Sequence, residues 1–156
     1  MPVKPIPEGY HTATPYIIVN GAAAAIEFYK KAFNATELFR MAGPDGKIGH
    51  AEIKIGNSPI MLADESLEMG AKSAKTLGGS PMFLMLYVEN VDVLAAQAVA
   101  AGAKVVRPLQ NQFYGDRSGT FEDPFGLWWT ISTHVEDVSP EEMKRRSEEA
   151  MKQKSC

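Results

Sequence analysis

His50 and Glu52 stand two residues apart in the run His50-Ala51-Glu52-Ile53-Lys54-Ile55. Imidazole and carboxylate groups are the usual means of holding a divalent ion or moving a proton. Residues at i and i+2 of a strand share a face, so Ala51, Ile53 and Ile55 form an apolar side and His50, Glu52 and Lys54 a polar one. A second acid, Glu122 in Gly119-Thr120-Phe121-Glu122, stands seventy residues on, against Gly49-His50-Ala51-Glu52. Two carboxylates brought face to face raise one pKa of the pair, which would suit Glu52 to general-base work. A rebuilt metal site from His50, Glu52 and Glu122 would require all three to converge. The plainer reading is hydrogen bonding and charge pairing among His50, Glu52, Lys54 and Arg117. Arg117, in Tyr114-Gly115-Asp116-Arg117, offers a planar fork to an anionic or carbonyl group, or a surface pair with Asp116.

Other chemistries find little support. Gly78-Gly79 lacks the spacing and the Lys-Ser/Thr sequel of a phosphate-binding loop, and no Gly-x-Ser-x-Gly elbow occurs. Cys156, the lone cysteine, has no base partner in prospect and excludes an intrachain disulfide or a multi-cysteine zinc site. His11 and His134 lie near strand ends and read as exposed or structural.

The elements that must position these groups come in a repeat. Thr14-Pro15-Tyr16-Ile17-Ile18-Val19 and a helical run to Phe33 are answered about 69 residues later by Phe83-Leu84-Met85-Leu86-Tyr87-Val88 and a run to Ala101. Each half reads as β-α-β-β-β. The first has a strand at about 13–19, then a helix capped by Asn20 with Ala22, Ile26, Tyr29 and Phe33 on one face. Strands follow at about 36–41, 47–55 and 58–63, across Gly43-Pro44-Asp45-Gly46 and the tight Gly56-Asn57. The second half has a strand at 82–88, a helix at 91–101 between the cap Asn90 and the stop Gly102, and strands near 103–107, 117–122 and 127–133. The stretches 64–80 and 107–118 interrupt the pattern. Ser139-Pro140-Glu141-Glu142 opens a polar terminal helix. The organisation expected is one domain over 1–156: module one about 10–64, a linker about 65–80, module two about 81–135, and the helix about 139–153.

Composition agrees with one soluble domain: 156 residues, 45% hydrophobic and 22% charged. With 16 Lys+Arg against 19 Asp+Glu the net charge is −3, so no basic field invites nucleic acid or a membrane surface. No signal-peptide core or run of about 20 apolar residues is present, and the chain reads as cytoplasmic.

The two modules, Ile26-Glu27-Phe28-Tyr29 with Ala32-Phe33, Gly49-His50-Ala51-Glu52, Tyr114-Gly115-Asp116-Arg117 and Asp123-Pro124-Phe125-Gly126 before Trp129 together resemble the glyoxalase-like proteins of the vicinal oxygen chelate superfamily, and more closely their PhnB-like branch. The match spans roughly residues 10–135. The resemblance implies an α+β fold in which two curved mixed four-stranded sheets carry helices on their outer faces and a pocket on their concave faces. It also implies a homodimer. His50, Glu52, Thr120, Glu122, Tyr16, Phe83, Tyr87, Trp128 and Thr130 would then point inward, and Trp129 and Ile131 toward the helices. Metal-dependent members place one ligand in each of four strands, positions that count to Thr14, Ile60, Phe83 and Thr130 here. None is a metal-binding type, so no standard metal site and no cofactor are expected, a divalent ion fitting only a non-standard site. Leu127 stands where relatives often carry His. The fold hosts many chemistries. The reading is a protein that binds a small organic molecule without the standard metal, through Tyr16, His50, Glu52, Phe83, Arg117, Glu122, Trp128 and Thr130. The alternatives are a lyase, isomerase or dioxygenase with an unconventional metal site or with Glu52 as general base, and an interaction protein whose pocket is filled by its own side chains.

Overall fold

A computed structural model describes residues 2–154; Cys156 lies outside them. The elements run β1 (Tyr16–Val19), α1 (Ala22–Phe33), β2 (Thr36–Ala42), β3 (Ile48–Ile55), β4 (Ser58–Asp64), α2 (Ala74–Leu77), β5 (Phe83–Tyr87), α3 (Val91–Ala101), β6 (Lys104–Asn111), β7 (Asp116–Glu122), β8 (Trp128–His134) and α4 (Pro140–Lys154). They build two four-stranded mixed sheets in the orders β1-β4-β3-β2 and β5-β8-β7-β6. In each the first strand pairs in parallel with the last, and the remaining pairs are antiparallel. The fold class is α+β, as expected.

Each sheet has a covered and an open face. Ala51, Ile53 and Ile55 of β3, and Trp129 and Ile131 of β8, are buried on the covered faces. Between the sheets, α1 packs on α3, and its aromatic side reaches across to module two. The Tyr29 and Phe33 rings lie 5.2 and 4.7 Å from Trp129, and Phe28 lies 6.2 Å from Phe125. Asp123 closes this core. Its buried carboxylate accepts from Tyr29 Oη (2.7 Å), Trp129 Nε1 (2.9 Å), and the backbone N–H groups of Phe125 (2.9 Å) and Leu127 (3.0 Å). Burial still pushes its pKa up against those four donors. Leu127 joins the apolar core.

Several boundaries differ from the sequence reading. Asn20 does not cap α1. Gly21, at φ 101°, holds the N-cap position, and Asp64 at the end of β4 reaches across to accept from Gly21 N (2.8 Å) and Ala22 N (2.9 Å). Its other oxygen accepts from Ile48 N at 2.7 Å, so one carboxylate ties three elements. In module two, by contrast, Asn90 Oδ1 does cap α3, accepting from Val93 N. The interruption expected from 107 is strand as far as Asn111: β6 tolerates Pro108 because it is an edge strand with two register shifts. The stretch 65–80 is not plain linker, since Glu65 accepts from Ser73 N and Thr76 Oγ1 and holds α2 in place. The terminal helix forms, with Ser139 Oγ accepting from Glu142 N.

Candidate functional site

Register places the polar residues. In the first sheet Tyr16 pairs with Met61, Met61 with Glu52 and Glu52 with Phe39, so one row crosses the open face. His50 pairs with Met41 on the same face. In the second sheet the equivalent row is Phe83, Trp128, Glu122 and Lys104, followed by Met85, Thr130, Thr120 and Arg107.

This register corrects one of the positions counted from the sequence. Ile60 pairs with Ile53 and is buried on the covered face. On β4 the open-face neighbour is Met61, while Phe83 and Thr130 stand on the open face of module two as counted. Counting failed because Gly56 and Gly126 are not equivalent. The β3–β4 hairpin turns in two residues after Ile55, whereas Glu122 already pairs with Trp128 across the longer Asp123–Leu127 turn. Alcohol, thioether and phenyl groups are poor donors for a divalent ion, so the set with Met61 in place of Ile60 does not fit the family's metal either. Among the described residues no three His, Cys, Asp or Glu side chains form a metal-holding group.

On the first open face the groups that do assemble form a chain. The Tyr10 hydroxyl, from the irregular N-terminal segment, donates to Glu52 Oε2. Glu52 Oε1 lies 3.1 Å from His50 Nε2, and His50 Nδ1 lies 2.8 Å from Tyr16 Oη. Read with Nε2–H donating to the carboxylate, Nδ1 is left to accept from the Tyr16 hydroxyl. The hydrogen bonds from Tyr10 and from His50 hold the Glu52 carboxyl below the usual carboxylate range, and the same Glu52 bond pushes the Tyr10 phenol up to about 12. Glu52 is therefore a fixed anion, opposite to the raised pKa expected of a facing carboxylate pair. Tyr16 and Phe39 flank the imidazole, with centroids 5.5 and 6.3 Å away.

The second open face is built around aromatic surface. Phe83 stacks on Trp128 at 5.2 Å, and Trp128 Nε1 donates to Glu122 at 2.9 Å. Thr120 and Thr130 share a 3.0 Å hydrogen bond. Glu122 thus meets its partner within its own sheet, as Glu52 does, and the two acids do not form one site within this chain. At the far end of the face, Tyr87 Oη donates to Asp116 Oδ2 (2.8 Å). Asp116 Oδ1 lies 2.8 Å from His134 Nδ1, and Asp137 lies 2.8 Å from His134 Nε2. Asp116 and then Asp137 raise the His134 pKa. Sequence reasoning missed both Tyr10 and this second chain; the recurrence of tyrosine in the two first strands was the available signal for the latter.

Arg117 stands apart from these groups. By alternation it leaves the open face, and its guanidinium clamps Asp92 at the start of α3 through two bonds of 2.9 and 2.7 Å. No helix among the described residues is long and apolar enough to cross a membrane.

Comparison with known proteins agrees with this architecture. An uncharacterized protein of Mycobacterium tuberculosis (strain H37Rv) is 43% identical over 134 residues, covering 84% of this chain and 79% of that one. Solved structures of TioX from Micromonospora sp. ML1 and of the PhnB protein from Bacillus cereus superpose with TM-scores of 0.63 and 0.62, at 21% and 16% identity. They cover 83% and 79% of this chain, and 100% and 99% of their own lengths. The model of the Glyoxalase/Bleomycin resistance protein/Dioxygenase superfamily matches residues 10–131, and the chain belongs to that superfamily.

Proposed function

We propose that the chain binds a small organic molecule against its open sheet faces, in the cytoplasm, without the metal that catalytic relatives use. The observation that carries the reading is aromatic surface left uncovered beside fixed polar groups: Tyr16, Phe83 and Tyr87 are 46%, 52% and 63% exposed. Rings placed so, with a few oriented hydrogen-bonding groups, are the usual means of gripping an organic ligand. Tyr16, His50 and Glu52 serve one face; Phe83, Glu122, Trp128 and Thr130 serve the other. A homodimer that lays one face against the partner's opposite face would enclose the ligand and cover the exposed rings.

A second reading, proton-transfer catalysis, rests on the Glu52–His50–Tyr16 chain. Here Tyr16 is the group at the surface, His50 takes its proton on Nδ1, and Glu52 orients the imidazole rather than acting as the base itself.

The test is Trp128 fluorescence titrated with a panel of aromatic and cationic antibiotics, alongside thermal unfolding with Zn²⁺, Ni²⁺, Mn²⁺ or Fe²⁺. Saturable quenching that is lost in Trp128→Phe, with no metal-induced rise in Tm, is expected. A bound ion at about 100 times its Kd adds about 2.7 kcal/mol and raises Tm by several degrees. Such a rise at one equivalent of metal would overturn the metal-free reading.

A further inference from the structure

The two modules leave a seam behind the open faces, and its hydrogen-bonding capacity is only partly used. Near its middle, residues 11–15 of the N-terminal segment lie beside β5, where His11, Ala13 and Pro15 share a small hollow of about 170 Å³ with Leu84 and Leu86. Past that point the seam opens into a cleft of about 730 Å³ between the β3–β4 turn, the edge of β5 and the start of α3. Phe33 and Leu94 floor it, and no charged side chain lines it.

The amides in this cleft have fixed orientations. Gln97 Nε2 lies 2.8 Å from the Lys31 carbonyl, which can only accept, so the Gln97 side chain must present its NH₂ there. The same Nε2 lies 2.8 Å from Asn34 Oδ1, so Asn34 must present its oxygen inward. Asn90 is fixed independently, because its Oδ1 accepts from Val93 N as the cap of α3. The NH₂ groups of Asn34 and Asn90 are therefore turned away from these bonds, and neither has a partner among the described residues.

The strand edge adds to this. Val88 N–H bonds to Ser132 on β8, and alternation sends the main-chain groups of Met85 and Tyr87 the other way. β5 is an edge strand, so those groups face the cleft with no neighbouring strand. Open strand edges are templates for pairing with another chain.

We infer that this seam receives an uncharged, extended peptide segment, paired along the outer edge of β5 at Met85 and Tyr87 and with its carbonyls taken by the Asn34 and Asn90 amides. An extended peptide alternates N–H and C=O along its length, which the two sides of the β5 edge match. A cleft without charges neither needs nor favours a charged partner. Residues 11–15 lie beside the same strand only at the small hollow, and the rest of its edge is left to the ligand. This site uses the main-chain edge at Met85 and Tyr87 and not the open-face side chains of Tyr16, His50, Phe83 and Trp128, so it does not depend on the ligand proposed there.

The experiment uses the ¹⁵N-labelled full chain and the blocked peptide acetyl-Thr-Val-Thr-Val-Thr-amide. Saturable shifts are expected at the Met85 and Tyr87 backbone amides and at the side-chain NH₂ pairs of Asn34 and Asn90. The variant Asn34→Asp/Asn90→Asp keeps every bond described above, since Asp is an equally good cap and tolerates the φ of 56° at position 34, but removes both donors. It should bind the peptide at least about tenfold more weakly, the scale of one lost hydrogen bond. The peptide N-methylated at its central residues should lose binding likewise, and this arm needs no protein variant to fold. Unsaturable shifts, shifts confined to Tyr16, His50, Glu122 and Trp128, or equal binding by the double variant would overturn the proposal. So would hydrogen-exchange protection of Met85 and Tyr87 before any peptide is added, because a second copy would then occupy the edge. Maltotriose producing the same shifts more strongly would reassign the cleft to a polyol.

Discussion

The two modules share an element order but use their carboxylates in different places. Module two spends one on its final turn, where buried Asp123 gathers four donors and binds the modules together. Module one makes the corresponding turn with exposed Gly56-Asn57 and spends its carboxylate at the other end of the strand, where Asp64 caps α1 and holds β3. The site faces differ as well. In module one Tyr10, Glu52, His50 and Tyr16 form a chain at the centre of the sheet, whereas in module two the chain of Tyr87, Asp116, His134 and Asp137 sits at its end and leaves the centre to Phe83 and Trp128. A duplicated scaffold thus fixes where strands lie, while the chemistry of each copy depends on a few side chains reaching across from elsewhere.

The largest effect should come from Asp123→Ala. It strands the Tyr29 and Trp129 donors in the core, and each buried donor left unmet costs about 1–3 kcal/mol. A loss of about 3–5 kcal/mol in urea unfolding is expected, against less than about 0.5 kcal/mol for Asn57→Ala in the other module's turn. Comparable losses at the two turns would erase the contrast. Next, Asp64→Ala should cost about 2–3 kcal/mol, since it removes a helix cap and a strand tie together, while Asn90→Ala should cost about 1 kcal/mol.

Subtler is Glu52→Gln. It removes the carboxylate that holds the Tyr10 phenol near 12, so ultraviolet titration should show one tyrosine midpoint falling toward the ordinary value of about 10. An unmoved titration would detach Tyr10 from the chain.

The smallest effect concerns His134. Its folded pKa is raised, so its contribution is fully present below the unfolded value of about 6.5 and is lost as pH rises through the folded value. Wild type should lose Tm relative to His134→Asn on going from pH 5 to pH 8. Parallel Tm profiles would remove His134 from the module-two chain.

Much of the fold was legible in local patterns. The alternation in 50–55 gave the correct faces, and Asn90 and Ser139 capped the helices they precede. What escaped was set at long range. Asn20 has the right chemistry for a cap, but the carboxylate that performs the task comes from Asp64, 43 residues from Gly21. The length of a hairpin turn fixes strand parity, and a one-residue error turned Ile60 to the wrong face. For the site, His50 and Glu52 could be paired from their spacing alone. Tyr10 could not, because it lies in a segment without periodicity, and Arg117 found Asp92 on a helix instead of the open face.

The adjacent Trp128 and Trp129 point to opposite sides of β8, one stacked on Phe83 at an open face and the other held in the Tyr29–Asp123 core. Their fluorescence therefore reports different moments of refolding. The Tyr29–Asp123 contact closes 94 residues of chain, an entropic cost met only after local hairpins have formed. Trp128 in the Trp129→Phe variant should follow assembly of the second sheet, and Trp129 in the Trp128→Phe variant the slower docking of one module on the other.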